Sequence, residues 1–327
     1  MKKTAPQSID LEVLLRPISP ELEKVRQRIE QTLGQSAGGI GDGLIKLGLG
    51  GGKMLRPALV LLSGKCLGLL RPEHIELGAI IEMIHVASLL HDDVIDQAQT
   101  RRGKSSANAQ WGNTQAVLLG DFVLSKAFGL GAAVGLDGAA SVLCQTAEAI
   151  CTGEILQNQR KGDWSLTEAE YLAIIEGKTA SLFGACCFLG GLAAGAEKSV
   201  CEILRHYGIS LGLAFQITDD VLDILGSPTA EGKTLGTDFL HEKLTLPVIH
   251  WLGQIDPSQQ KARLEQLSRN SDPAGLCEAM RQGGAIDYTL GRVEDFAQNA
   301  RKSLVELPDS QAKEILSSLI SYVSHRV

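Results

Sequence analysis

Apolar side chains recur three and four positions apart through most of this 327-residue chain, and strand-like alternation is almost absent. This period places the apolar side chains on one face of an α-helix. It predicts helices over residues 20–33, 54–67, 72 to about 91, 115–130, 139–160, 178–194 and 198–225, a helix capped by Ser165 or Thr167, and several amphipathic helices after Pro247. We therefore expect an all-α fold.

Glycine-rich or polar stretches separate these helices, at residues 36–52, 97–106 and 226–238. None of them has the composition of a long linker between domains. Only 4% of the residues are aromatic although 44% are hydrophobic, and such a composition favours helices over strands. We predict one large helical domain that spans residues 1–327.

Charge and cysteine usage narrow the partners and the compartment. A formal net charge of -7 disfavours nucleic acid as the main partner. The seven cysteines include no C-x-x-C pair, which favours reduced thiols in the cytoplasm. No signal peptide follows Lys2 and Lys3, and the longest run of small apolar residues, 182–196, is too short to span a membrane. We expect a cytoplasmic protein with no transmembrane segment.

A short aspartate pattern occurs twice, as DDVID at residues 92–96 and as DDVLD at residues 219–223. Both copies follow strongly apolar residues, where a lone buried carboxylate would be very costly. The first and last aspartate of each copy lie one turn apart on one helix face. Two such helices facing each other would form a cavity for hard cations, which would in turn hold a polyanion. The alternative is that both copies are solvated helix ends; the candidate metal ligands are Asp92, Asp96, Asp219 and Asp223.

Basic residues mark two candidate sites for anions. In GGKMLRP, residues 51–57, Lys53 and Arg56 project from one side of a helix start, where backbone N–H groups also favour an anion. In RRGK, residues 101–104, tandem arginines directly follow the first aspartate copy and are placed to clamp phosphate oxygens. In isolation, each stretch is also compatible with a solvated surface loop.

Other polar residues are spaced to join these groups. His85 precedes Asp92 by seven residues and so lies on nearly the same helix face, about 10 Å away. The alternative for this histidine is a satisfied position in the core. Together the groups describe an apolar pocket with one metal-bridged anion site and one anion site lined by cations. Further candidates near the two aspartate copies are Lys178, Thr179, Gln216, Lys233 and Lys243.

The combined motifs resemble those of the trans-isoprenyl diphosphate synthases, and look most like the long-chain polyprenyl members. The stretch HDDVIDQAQTRRGK from residue 91, followed by WGN and GDFVLSKAF, resembles the first aspartate-rich region of that family. FQITDDVLD from residue 215 resembles the second, and GGKMLRP resembles the isopentenyl diphosphate site. The resemblance covers nearly the whole chain, in the family's order and spacing.

The resemblance implies a homodimer whose subunit is an all-α bundle around a deep central cavity. It implies a reaction that condenses isopentenyl diphosphate with an allylic diphosphate, with magnesium as cofactor at three ions per active site. Magnesium would be bound by Asp92, Asp96 and Asp219. Isopentenyl diphosphate would be bound by Lys53, Arg56, His85 and Arg102. The allylic diphosphate or its developing carbocation would be surrounded by Arg101, Lys178, Thr179, Gln216, Lys233 and Lys243.

Two positions bear on how closely this chain follows the family. Glu242 stands where the family usually has a glycine before the lysine; if the backbone there has a positive φ, glutamate adopts it poorly and the reach of Lys243 changes. The residues four and five before Asp92, which are aromatic in the resembling short-chain synthases, are Ser88 and Ala87. These small side chains predict an open cavity and a product of C25 or longer.

Other functions use some of the same residues. A terpene cyclase ionises the same substrates but needs no second diphosphate site at Lys53 and Arg56. A non-catalytic subunit of a heteromeric synthase would have lost aspartates, whereas both copies are complete here. A metal-dependent phosphohydrolase would need more histidine ligands than the His91–Asp92 pair. A short-chain synthase, which makes farnesyl or geranylgeranyl diphosphate, is the alternative on product length.

Overall fold

The computed structural model describes residues 10–34, 40–46, 52–68, 70–101, 103–225, 242–256, 258–260 and 273–326. Its α-helices are α1 (Leu11–Leu15), α2 (Ser19–Gly34), α3 (Ile40–Lys46), α4 (Leu55–Cys66), α5 (Pro72–Ile95), α6 (Ala107–Trp111), α7 (Asn113–Ala133), α8 (Ala139–Gln159), α9 (Glu168–Ile175), α10 (Ser181–Ala194), α11 (Lys198–Leu225), α12 (Leu246–Gly253), α13 (Pro273–Gln282), α14 (Ala285–Val305) and α15 (Gln311–Ser324). A 3₁₀ turn at Arg16–Ile18 and a π-helical turn at Glu176–Ala180 lie between them. The predicted all-α fold class is confirmed.

The β-strands among the described residues form one small antiparallel hairpin. Strand β1 (Thr100–Arg101) pairs with β2 (Lys104–Ser105), and Thr100 lies opposite Ser105. We expected a loop over residues 97–106. Strands of two residues are too short for an alternating apolar pattern, so the sequence carries no signal for them.

Several helices begin and end at residues whose chemistry suits those positions. Pro72 occupies the first turn of α5, where its missing N–H breaks no hydrogen bond. Thr167, rather than Ser165, caps α9: its hydroxyl accepts from the Glu170 N–H, and the Glu170 carboxylate accepts from the Thr167 N–H. Gly195 ends α10 with a φ of 79°. These signals made the ends of the helices predictable.

Helix α10 lies at the centre of the bundle. It contacts α4, α5, α8 and α11, and almost all of its side chains are buried. A helix that is apolar on every side requires such surroundings. Glycines let the neighbours approach: a Cβ on Gly190 would lie 2.4 Å from the Val60 carbonyl oxygen, and one on Gly208 would lie 2.4 Å from the Phe183 carbonyl oxygen. Each fully buried leucine or phenylalanine in this core contributes roughly 1.5–3 kcal/mol.

Two helical stretches of the described chain, Asn113–Ala133 and Glu168–Ala194, have the length and composition of a membrane span. The second includes α10, and 67% of its most apolar window is buried in the protein, as in a core helix. The first is α7, for which the buried share is only 28%. Helix α7 therefore presents an apolar surface that the other described residues leave uncovered.

The two longest described helices, α5 and α11, carry the aspartate copies near their C-terminal ends. The π-turn follows α9 and contacts both α8 and α11. We expected Lys178 and Thr179 to open an α-helix; instead they lie in this turn. A Cβ on Gly153 of α8 would lie 2.4 Å from the Lys178 backbone nitrogen, so this glycine lets α8 press against the turn.

Candidate active site

The surroundings of Asp92, the first aspartate of the first copy, disfavour its ionised form. Its pKa is raised to about 6, chiefly because the carboxyl is removed from water. The positive charge of Lys178 lowers this pKa, whereas the carboxylates of Glu154 and Asp96 raise it. A carboxylate in this environment is stabilised by any cation that is brought to it.

Lys178, from the π-turn, is held between α8 and the first aspartate copy. Its ammonium pairs with Glu154 and donates to Gln157 Oε1 at 2.8 Å. Burial lowers the pKa of Lys178, but the carboxylates of Asp92 and Glu154 outweigh burial and hold it above its usual value. Glu154 is itself buried, and Asn158 donates to its Oε1 at 2.9 Å. Lys178 is therefore a charged and well-positioned group.

Asp96 lies between two lysines. Lys243 Nζ donates to Asp96 Oδ2 at 2.8 Å, and Lys161 Nζ is 3.7 Å from Oδ1. Burial raises the pKa of Asp96, but the hydrogen bond and charge of Lys243, together with Lys178 and Lys161, lower it by more. The net pKa lies below its ordinary value, so near pH 6 Asp96 is ionised whereas Asp92 is about half protonated.

Glu242, which stands where the family usually has a glycine, adopts the left-handed backbone conformation that glycine favours. Its φ is 59°, a conformation that costs a non-glycine residue roughly 1–2 kcal/mol. The Glu242 carbonyl accepts from the Gly162 N–H at 3.0 Å, which ties this segment to the turn after α8. Lys243 reaches Asp96 from this strained segment.

Arg101 contacts Asp93, the second of the three aspartates in the first copy. Its Nε lies 2.8 and 3.0 Å from the two carboxylate oxygens of Asp93, which is buried. A bidentate pair of this kind has strong directional hydrogen bonds, and it holds the hairpin against the end of α5. The predicted contact of Arg101 with an allylic diphosphate stays a prediction.

Asp219, the first residue of the second copy, pairs with an arginine far away in sequence. Arg326, which follows α15, places Nη1 2.6 Å from Asp219 Oδ1. Its guanidinium also lies 5.1 Å from the Phe215 ring centroid and 5.9 Å from that of Tyr322. A metal ion at Asp219 would compete with this guanidinium. Asp223 lies one turn further along α11 and is half-buried.

A buried hydrogen-bond network joins the π-turn and α9 to α11. Thr179 Oγ1 donates to Gln216 Oε1 at 2.8 Å, and Gln216 Nε2 donates to Asp220 Oδ1 at 2.9 Å. Tyr171 Oη, from α9, donates to the other oxygen of Asp220 at 2.5 Å. Because Thr179 follows Lys178, this network connects the surroundings of the first aspartate copy with those of the second.

Of the four residues predicted for the metal-free anion site, Arg56 and His85 are in contact, and Lys53 precedes the start of α4 by two residues. Arg56 Nη1 lies 3.1 Å from His85 Nε2, and its guanidinium lies 4.9 Å from the Phe183 ring centroid. Lys53 is exposed and donates to Tyr322 Oη at 3.3 Å. Tyr322 also contacts the guanidinium of Arg326, so α15 links this group to the second aspartate copy.

Some expected residues cannot be located and some unexpected ones join the site. Arg102 and Lys233, both predicted to bind anions, lie outside the described residues. Glu154 could have been noticed as an acidic residue within an apolar helix next to Gly153. The residues that carried no local signal are Lys161, Tyr171 and Arg326.

The carboxylates fit magnesium if phosphate oxygens complete its shell. Within the described ranges, no three His, Cys, Asp or Glu side chains converge on a ready-made metal site. Magnesium takes one or two carboxylates together with phosphate oxygens and water, so it does not need such a group. Two observations support the fit: the buried Oδ1 of Asp96 has no hydrogen-bond partner in the described part of the chain, and the pKa of Asp92 is raised to about 6.

Comparison with known proteins gives consistent matches along the chain. A family model described as "Polyprenyl synthetase" matches residues 44–282. The octaprenyl diphosphate synthase of Haemophilus influenzae is 34% identical over 327 residues, which cover 99% of this chain and 98% of that protein. The heptaprenyl diphosphate synthase component 2 of Geobacillus stearothermophilus is 33% identical, over 94% of this chain and 97% of that protein.

A solved structure supports the same relationship. The crystal structure of a polyprenyl synthase from Caulobacter crescentus CB15, complexed with calcium and isoprenyl diphosphate, matches with a TM-score of 0.90 and 35% identity. The match covers 98% of this chain and 99% of that one. Sequence, fold and the order of the motifs thus agree. The chain belongs to the polyprenyl synthetase family and is an enzyme of the trans-polyprenyl diphosphate synthase class.

Proposed function

We propose that this chain is a prenyltransferase that condenses isopentenyl diphosphate with an allylic diphosphate and repeats the step to make an all-trans polyprenyl diphosphate of C25 or longer. The observation that carries the proposal is that charged side chains of different chemistry lie at two places in the fold. One combines Asp92 and Asp96 with lysines, and the other combines Lys53, Arg56 and His85. One reaction that uses two diphosphates at once explains both.

The allylic diphosphate binds beside the first aspartate copy. Magnesium, at three ions per site, would be held by Asp92, Asp96, Asp219 and Asp223, and it supplies positive charge that stabilises the departing diphosphate. Lys178 and Lys243, which already lie among these carboxylates, contact the same leaving group as it gains charge. Arg101 and Lys233 complete this cationic wall in the proposal, whereas Arg102 joins the site for isopentenyl diphosphate.

Isopentenyl diphosphate binds at the start of α4. Lys53 and Arg56 hold its diphosphate, and His85 orients Arg56. The C1–O bond of the allylic substrate breaks, and the C3=C4 double bond of isopentenyl diphosphate attacks C1. A proton then leaves C2 of the former isopentenyl unit for the departed diphosphate. Fixing both substrates in this way removes the entropic cost of bringing them together.

The carbocation forms beside Thr179 and Gln216. Both side chains have oxygen atoms in a network that is fixed before the reaction, and fixed dipoles stabilise charge without reorganisation. Apolar neighbours such as Phe183 and Phe215 exclude water, which would otherwise capture the cation.

The long product is proposed from α5 and from the relatives. Ser88 and Ala87 are small, and Ser88 turns its hydroxyl back to the His85 carbonyl at 2.8 Å. An octaprenyl diphosphate synthase matches almost the whole chain. A short-chain synthase with a cavity closed by other residues is the second candidate.

We also propose that residues 1–327 form one domain. One cluster of buried apolar side chains runs from Leu11 to Val323, which supports a single domain.

We further propose that the protein is a cytoplasmic homodimer in which a second copy covers the apolar face of α7. Large apolar side chains are exposed on α7 and on α8, which contact each other. They are Val117, Leu118, Ile155 and Leu156.

The function is tested with the purified chain alone. Labelled isopentenyl diphosphate should enter solvent-extractable product only when farnesyl diphosphate and magnesium are both present. A terpene cyclase would release diphosphate from farnesyl diphosphate without isopentenyl diphosphate. A phosphohydrolase would release inorganic phosphate from either substrate. A non-catalytic subunit, an assignment that the match to a heptaprenyl "component 2" makes worth testing, would give no product until a partner chain is added.

A further inference from the structure

Two members of the buried network, Asp220 and Tyr171, have no role in the proposed reaction. Both are 3% exposed, whereas the side chain of the neighbouring Asp219 is 37% exposed. Each oxygen of Asp220 accepts a hydrogen bond, one from Tyr171 and one from Gln216. The middle aspartate of the second copy therefore points into the protein, away from the direction of Asp219.

The chemistry of Asp220 sets the direction of every hydrogen bond in the network. An ionised carboxylate can only accept, so Gln216 must turn its amide nitrogen towards Asp220. Its carbonyl oxygen then faces Thr179, and the Thr179 hydroxyl must give its hydrogen to that oxygen. This order follows from the numbers of donors and acceptors on the three side chains.

The direction of the Thr179 hydroxyl determines whether its oxygen or its hydrogen faces the allylic cation. When Thr179 gives its hydrogen to Gln216, its oxygen offers only lone pairs to the site. With the reverse direction, the hydroxyl hydrogen would point outwards and would repel a developing positive charge. Thr179 is 8% exposed, and solvent competes little with this fixed orientation.

We propose that Asp220 is a positioning residue: through Gln216 it orients the Thr179 hydroxyl so that its oxygen faces the allylic cation, and Tyr171 anchors Asp220 in place. The proposal rests on the proposed prenyltransferase function, since it needs a cation at Thr179. It assigns to the middle aspartate a task different from metal binding.

The test is the substitution Asp220→Asn, which keeps the shape but supplies one donor and one acceptor. Its amide oxygen accepts from Tyr171, because this arrangement keeps the buried hydroxyl hydrogen paired, and its NH₂ group faces Gln216. Gln216 must then turn over and donate to Thr179, which reverses the hydroxyl. We expect kcat to fall about 100-fold, the scale of losing one preorganised group, while both KM values and the magnesium concentration for half-maximal rate change less than about threefold.

A charge-conserving double variant provides the rescue. In Asp220→Asn with Gln216→Glu, the new carboxylate accepts from both the new amide and Thr179, so the original direction at Thr179 is restored. We expect at least a tenfold recovery of kcat and recovery of most of the Tm lost in the single variant. Tyr171→Phe tests the anchor: it removes one hydrogen bond to Asp220 and leaves the carboxylate in place, so kcat should fall by less than in Asp220→Asn.

Three results would overturn the proposal: wild-type kcat in Asp220→Asn, no recovery in the double variant, or a tenfold rise in the magnesium requirement, which would make Asp220 a metal ligand. The Tm values need no catalysis, so they test the direction of the network even if the wild type fails to condense its substrates. In that case the proposed function fails separately, and recovery of Tm in the double variant still supports the assignment of the hydrogen bonds.

Discussion

Asp92 is a residue whose ionised form opposes folding of the metal-free chain. Its folded pKa of about 6 lies above the value near 3.9 of an aspartate in an unfolded chain. The folded state therefore binds this proton more tightly. By linkage, the resulting stability is fully present below about pH 4 and is lost as the pH rises through 6.

We predict that Asp92→Asn stabilises the metal-free protein at pH 8 by on the order of 3 kcal/mol and by less than about 0.5 kcal/mol at pH 4. Urea unfolding in EDTA measures both values, and the exposed Asp137→Asn is the control, with no gain at either pH. The same Asp92 variant should lose turnover by a factor of about 1,000 or more, because it loses a metal ligand. Equal stability of variant and wild type at pH 8 would show that the ionised Asp92 carboxylate does not destabilise the folded protein.

Lys53 provides the test for two separate anion sites. We predict that Lys53→Ala raises KM for isopentenyl diphosphate about 10–100-fold, the value of one charged hydrogen bond, and raises KM for the allylic substrate much less. The control is Tyr322→Phe, which removes the hydroxyl that Lys53 contacts and leaves the ammonium. A similar rise in both KM values for Lys53→Ala would contradict the division into two sites.

Site residues that lie in motifs were predictable from the sequence, whereas residues that reach the site from distant helices were not. Arg56 and His85 were predicted together and lie 3.1 Å apart. Arg326 was missed because a single arginine after an amphipathic helix has no distinguishing pattern; only the packing of α15 brings it to Asp219. Arg101 was recognised, but its partner Asp93 depends on the path of a hairpin that the sequence did not indicate.

Among the elements, the π-turn does most to arrange the site. It places Lys178 beside the first aspartate copy and Thr179 beside α11, which carries the second copy. Such turns are frequent at functional sites. The sequence predicted a helix here but not its extra residue per turn, since this widening depends on the close approach of α8 at Gly153.

We predict that Gly153→Ala lowers both Tm and kcat, the latter at least about tenfold, because a displaced Lys178 backbone moves catalytic groups by a fraction of an ångström or more. The new Cβ would lie 2.4 Å from the Lys178 nitrogen. Gly291→Ala on α14 is the matched control, since nothing lies within 4 Å of its Cβ. It should keep kcat and stabilise the helix by up to about 1 kcal/mol. Unchanged kcat in Gly153→Ala would separate the turn from catalysis.

The order of the helices was predictable from the spacing of the apolar residues. The sequence did not indicate what covers the outer face of α7. An apolar helix is expected to be a core helix, but α7 leaves Leu118 55% exposed, and Ile155 on α8 is 56% exposed. Exposed apolar surface of this kind is typical of a contact with another molecule, which supports the proposed homodimer.

We predict that the wild type has the mass of two chains by light scattering, and that Leu118→Glu with Ile155→Glu shifts it towards one chain. Two charges in an apolar interface lack partners and cost several kcal/mol. Val305→Glu, at a position 76% exposed on α14, should leave the mass unchanged. A wild type that is monomeric at micromolar concentration would contradict the homodimer.

In the proposed reaction, the growing chain passes α5 and continues between the helices, so product length depends on more than one helix. Ser88 is half-buried and Ala87 is 1% exposed, so Ser88 is the position from which a larger side chain can enter open space. A phenylalanine at Ala87 would instead have to displace packed neighbours.

The most direct measurement is the chain length of the product that the purified wild type makes from farnesyl diphosphate, isopentenyl diphosphate and magnesium, determined by mass spectrometry. We predict C25 or longer for the wild type. For Ser88→Phe supplied with dimethylallyl or geranyl diphosphate, we predict a shift towards C15 or C20 with condensation retained. A wild-type product that stops at C20 or below would contradict the long-chain assignment, and the absence of any condensation product would contradict the proposed function itself.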